Sequence, residues 1–205
     1  NGFESITGQI NSELQKPSFD APFFLNLYGS INGRYEVNMH TNYKLGDKLS
    51  VGLYTHADKR SQKFDNNGDD FIDLPISDQV NIMNRWQYIN TEKGWISLFS
   101  WRWMKDEKLL GSINFIPSIH KGKLNKWGSE IDTNRFDSSF KIGYVFPNIP
   151  YQSFGFQIAF SDHDQQAYYG IRNYNINQKS FHSNLLFNSI IGNTQNKFKV
   201  GINYS

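Results

Sequence analysis

Long stretches of this chain alternate apolar and polar residues one by one, and that rhythm leaves few folds open. Successive side chains of an extended strand point to opposite faces, so strict alternation marks a strand with one greasy and one wet face. Tyr35, Val37, Met39, Thr41 and Tyr43 fall on one face, with Glu36, Asn38, His40, Asn42 and Lys44 on the other. After the polar turn Gly46-Asp47-Lys48, Leu49, Val51 and Leu53 alternate with Ser50, Gly52 and Tyr54. Phe154, Phe156, Ile158 and Phe160 repeat the pattern, as do Phe198, Val200, Ile202 and Tyr204. Phe136, Phe140, Ile142, Tyr144 and Phe146 share a face broken only by Ser138. Helical periodicity is nowhere convincing. The pattern predicts an all-β chain of about nine strands, at 23–30, 34–45, 49–58, 81–90, 95–105, 135–146, 154–165, 178–191 and 197–205.

The connections alternate in length. Segments 46–48, 91–94, 147–153 and 192–196 are short, while 59–80, 106–134 and 166–177 are long and polar. Short turns at one rim and long loops at the other are the pattern of an outer-membrane barrel, whose long loops lie outside the cell. Composition points the same way: hydrophobic residues make up 38% of the chain, yet aromatics are 16%, with 17 Phe, 11 Tyr and 5 Trp. Aromatics set among Asn, Ser, Gly and Gln suit strands with a lipid face and interface girdles. The mean hydropathy of −0.59 does not count against a membrane, because barrel strands carry only every second residue as an apolar one. No apolar run approaches the ~18 residues of a spanning helix. The expected fold is an antiparallel transmembrane β-barrel, present in part. A soluble sandwich or lipocalin-like barrel would also alternate, but has less reason to alternate loop length or to be so aromatic.

Charge and motifs narrow the chemistry. The net charge of +2 is spread without a basic stripe, which argues against nucleic acid as a partner. The absence of cysteine removes disulfides, thiolate metal sites and thiol catalysis. No nucleophile–base pair, phosphate loop or metal-hydrolase spacing is present, so an enzyme is not expected. Asp65, Asn67, Asp69 and Asp73 place oxygens at the spacing of a calcium loop, although Asp70 stands where such loops carry glycine and no Glu closes the set. That leaves a structural Ca²⁺ site or a merely solvated acidic loop. His40 and His56, with Glu36 and Asn38, fall on the wet faces of neighbouring strands, and His163 stands where a strand enters an outer loop. They form a candidate ligand path, since imidazole suits transition metals; ordinary polar wall residues are the plain alternative. Trp95, Phe99, Trp101 and Trp103 lie along one strand, either as surface and interface girdle or as a sugar-stacking platform.

The opening run Asn1-Gly2-Phe3-Glu4-Ser5-Ile6-Thr7-Gly8-Gln9-Ile10-Asn11 adds a resemblance. It is similar to the end of the plug domain of TonB-dependent outer-membrane receptors of the Bacteroidetes type. Gly33-Arg34-Tyr35-Glu36, Asn84-Arg85-Trp86-Gln87-Tyr88, Gly143-Tyr144-Val145-Phe146-Pro147 and Ser189-Ile190-Ile191-Gly192-Asn193-Thr194 look like the same receptors, as does the run from Phe64 to Asp73. The resemblance implies that residues 1–19 end a plug and residues 20–205 begin a barrel of about 22 strands. It implies a plug hairpin turning at Gly2 and Gly8, with Glu4 either anchored on a barrel arginine or simply solvated. It further implies outer-membrane lipid and TonB as partners, and uptake of a metal, a metal chelate such as a siderophore, or a similar scarce nutrient. The rival expectations are a non-transporting surface or adhesion barrel and a component of a larger outer-membrane assembly.

Overall fold

The computed structural model describes residues 14–205. Its strands are β1 (Phe23–Gly29), β2 (Arg34–Lys44), β3 (Leu49–Arg60), β4 (Ile76–Asn90), β5 (Trp95–Gly111), β6 (Gly128–Val145), β7 (Ser153–Tyr169), the two-residue β8 (Arg172–Asn173), β9 (Ile176–Ile191) and β10 (Asn193–Tyr204). One helical turn, α1 (Pro117–His120), sits between β5 and β6. The strands form a single antiparallel meander in the order β1-β2-β3-β4-β5-β6-β7-β9-β10, with β8 folded back on β7. The sheet is not closed. Its edges are β1 and β10.

Each of the nine predicted strands is present, and four run well past their predicted limits at the long-loop rim. β4 starts at Ile76, β5 runs on to Gly111, β6 starts at Gly128 and β7 continues to Tyr169. All four extensions lie toward the long-loop rim, so the loops there shorten to 61–75 and 112–127. The cause is chemical. These strand tops carry Asp78, Lys105, Glu107 and Asp132 on the face that is apolar lower down, so the greasy beat stops while the backbone ladder goes on.

Cross-strand partners share a face, which lets the register sort every side chain. One face carries Trp86 opposite Phe99 and Phe140, and Trp95 opposite Tyr144 and Phe154. Near the short-turn rim, Trp95–Tyr144, Tyr144–Phe146, Phe146–Phe154, Phe154–Phe187 and Phe187–Phe198 ring contacts of 4.6–5.9 Å make a continuous aromatic row. The apolar band ends upward at Trp103 and Phe136, and Lys59–Asp78 and Lys105–Glu107 ion pairs follow above it. From Trp95 to Trp103 the strand rises roughly 26 Å at ~3.3 Å per residue. A tilt of about 40° makes that a height of about 20 Å, near the apolar band of about 25 Å of lipid-facing barrels. The opposite face is polar: Asn38, His56, Asn81, Met104, Arg135 and His163 stand in one cross-strand row.

At the long-loop rim the loops hold one another. Phe71 bridges to Ser112, the Ile72 and Ile113 amides donate to the Gly111 and Asp70 carbonyls, and Lys63 Nζ donates to the Ile113 and Phe115 carbonyls, both at 3.0 Å. Phe115 is 2% exposed and lies flat over Gly128, where a Cβ would strike its ring. Lys121 reaches across β6 to sit 4.3 Å over the Tyr168 ring.

Candidate functional site on the polar face

The chain arrives across the polar face. Residues 14–22 run over it near the short-turn rim, where the strands supply hydrogen-bonding side chains on every second position. Arg85, 5% exposed, donates through Nη1 to the Gln15 carbonyl, and the Ser18 amide donates to Gln87 Oε1 at 3.4 Å. Ser18 Oγ donates to Ser50 Oγ at 3.0 Å. Asn42 Nδ2 donates to the Ala21 carbonyl at 2.7 Å, His40 Nε2 lies 3.2 Å from the same oxygen, and the Asn42 amide donates to Pro22. These contacts are polar, and they fix where the chain turns into β1.

Above this crossing the polar face hollows out. A cavity of about 710 Å³ is lined from β3 to β9, by Tyr54, His56, Met83, Arg102, Asp137 and His182 among others. One hollow spanning that many strands means that the sheet curls toward its polar side. At its centre Asp137 takes Arg102 Nη2 at 3.0 Å, Arg135 Nε and Nη2 at 2.9–3.0 Å, and the Ser161 hydroxyl at 2.8 Å. Ser100 and Ser139 hydroxyls meet beside it at 2.8 Å. Two guanidiniums on one carboxylate leave an excess positive charge in the hollow. Arg102, Arg135 and Asp137 did not stand out in the sequence, because only the register shows that three residues from β5 and β6 converge.

The predicted ligand-path residues separate into groups. Glu36, Asn38 and His56 do come together: Asn38 Nδ2 donates to Glu36 Oε1 at 2.7 Å, and His56 Nδ1 lies 2.7 Å from Asn38 Oδ1. Arg34 closes the network on Glu36 at 2.8 Å and Asp58 at 3.5 Å. His40 stands apart, stacked on Phe24 at 5.4 Å and tied to the incoming chain. His163 shares the cross-strand row of His56 but four strand spacings away, about 19 Å, too far for one metal ion. Its register partner is Arg135.

The acidic loop folds on itself. Asp65 accepts the Gly68, Asp69 and Asp70 amides at 2.8–3.1 Å, Asp73 takes the Asn66 amide and side chain at 2.8 Å, and Asn67 bonds Asp69 at 3.0 Å. Asp70 adopts φ 65°, the left-handed conformation that glycine usually provides. Among the described residues no three His, Cys, Asp or Glu side chains are grouped to hold a metal ion. Trp95, Phe99, Trp101 and Trp103 all stand on the apolar face, and of the four Trp101 also borders the hollow. The hairpin residues Gly2, Glu4 and Gly8 lie outside the described residues.

No family model matches the chain, and no curated protein or solved structure matches it either. The receptor resemblance rests on the sequence motifs.

Proposed function

We propose that this chain is the plug end and first barrel strands of a TonB-dependent outer-membrane importer for a metal, a metal chelate such as a siderophore, or a similar scarce nutrient. The observation that carries the reading is the two-faced sheet: a row-by-row aromatic band about 20 Å high, near the apolar band of lipid-facing barrels, backed by a hollow polar face. Strands satisfy their backbone groups sideways, so a sheet of this kind suits lipid once every strand is paired. Short turns at one rim and docked loops at the other give the sheet the polarity of an outer-membrane barrel, long loops outward. The lead-in segment adds a second support. It is held to the polar face by hydrogen bonds, as the wet boundary between a movable plug and its barrel requires.

The mechanism proposed with it rests on the receptor resemblance. Ligand meets the long-loop rim, the plug ahead of residue 20 shifts under a pull from TonB, and the ligand passes along the polar wall. The test is uptake of ferric chelates by cells expressing the full-length protein, with and without TonB. Energy-dependent accumulation lost with TonB is expected. Surface exposure with no TonB-dependent uptake of any chelate would sink the importer reading and leave an adhesion barrel or an assembly component. The half-exposed Phe71 and Trp127 of the loop rim are the observation that favours adhesion as the second reading.

A further inference from the structure

The two faces of the sheet differ in charge as well as in polarity. On the polar face every strand carboxylate is already held: Glu36 and Asp58 by Arg34, Asp106 by Lys108, Asp137 by Arg102 and Arg135. Cations on that face remain over. Among the described residues no carboxylate stands within ion-pair distance of Arg60, Arg85, Lys141 or Lys199, all of which the register places on the polar side. The apolar face is the reverse at the top of its band and above it, where Asp78, Glu107, Asp132, Asp162 and Asp164 outnumber Lys59, Lys105 and Lys179. The whole chain is close to neutral at +2, so the positive surplus of the hollow side is a matter of sorting by face. A curved wall of one sign concentrates counter-ions and raises their local concentration.

We propose that the hollow between β3 and β9 binds a small solute carrying several oxyanion groups, carboxylate or phosphate, with Arg102 and Arg135 as the paired guanidiniums that grip it. This deepens the importer reading and rests on it only for the solute's destination. Guanidinium forks match carboxylate and phosphate oxygens two at a time. Arg102 meets Asp137 through Nη2, so part of its guanidinium fork is uncommitted while Asp137 occupies the rest. The hydroxyls of Ser100, Ser139 and Ser161 stand beside the pair as neutral donors. The volume of about 710 Å³ lies in the range of small-molecule sites. Asp137 is then the internal counter-ion that an incoming anion displaces.

The experiment is calorimetric titration of the detergent-solubilised full-length protein with four probes: citrate, pyrophosphate, myo-inositol and spermidine. Binding of citrate or pyrophosphate, weakened by salt, is expected; which of the two binds tighter tells carboxylate from phosphate. Arg102→Gln with Arg135→Gln should weaken it at least about tenfold, and Asp137→Asn should tighten it. Heat-modifiable migration on gels checks that each variant keeps its barrel, and Asp137→Asn decides alone if the double variant does not fold. Equal binding of myo-inositol or spermidine, or anion binding that ignores all these substitutions, overturns the proposal. Anion binding that responds as expected, in a protein whose uptake does not depend on TonB, upholds the site and removes the importer reading.

Discussion

Strands β4 to β7 run unbroken past the row of Trp103 and Phe136, yet the parts below and above that row are held together differently. Below it, cross-strand aromatic pairs such as Trp86–Phe99 and Trp95–Tyr144 cover the outer face. Above it, the same positions carry ion pairs, and the apolar content has moved into the loops that fold over the strand tops. The lower part leaves that aromatic face uncovered among the described residues, with Trp86, Trp95 and Phe99 all exposed. The upper part must supply its own cover, and Phe115 over Gly128 is that cover in miniature.

Removing the cover should give the largest effect. Phe115→Ala takes away a fully buried ring, which costs about 3–5 kcal/mol in packed sites. Limited proteolysis should then cut segment 112–127, while the lower strands keep heat-modifiable migration. If both parts loosen together, they are one cooperative unit and the comparison fails. Next, Phe140→Arg puts a charge inside the apolar band, with an expected loss of about 2–4 kcal/mol in lipid vesicles. The counterpart Glu107→Arg, on the same face above the band, should leave the unfolding midpoint unchanged. Equal losses at the two positions would mean that the band does not meet lipid.

A smaller effect is expected from alkali. Burial first, and then neighbouring Glu130, pushes the Tyr168 hydroxyl above the ordinary tyrosine value of 10.0. The raised group favours the fold while it is protonated, so its contribution is whole below pH 10.0 and is lost as pH rises through the folded value. Absorbance at the tyrosinate band should show late-titrating intensity that Tyr168→Phe lessens. An unchanged titration in that variant would refute the assignment. The least effect is expected from Lys59→Ala, which breaks the exposed pair with Asp78 at 2.8 Å; chemical unfolding should not resolve it from the parent.

The same division explains what could be read in advance. The lower strands were legible because the pattern of alternate aromatics survives in one dimension: Phe154, Phe156, Ile158 and Phe160 announce β7 unaided. The strand tops were not, since Asp78, Glu107 and Asp132 look like loop residues until their partners are known. The hollow was half legible. Glu36, Asn38 and His56 could be paired because β2 and β3 are joined by a tight turn, which sets their register. Arg102 and Arg135 belong to strands separated by a long loop, whose register no local pattern fixes. His163 was drawn toward His56 by its chemistry, although three strands stand between them.

The way the chain is tied down at Ala21 and Pro22 has a mechanical side. Asn42 and His40 clasp those two carbonyls from β2, and Arg85 holds Gln15 from β4. Tension applied to the chain ahead of Gln15 is therefore delivered to interior members of the sheet, each stitched on both sides. The edge strand β1, with all seven residues exposed and one neighbour among the described residues, is spared the load. A rope made fast to the middle planks of a hull can be hauled without opening its outermost seam.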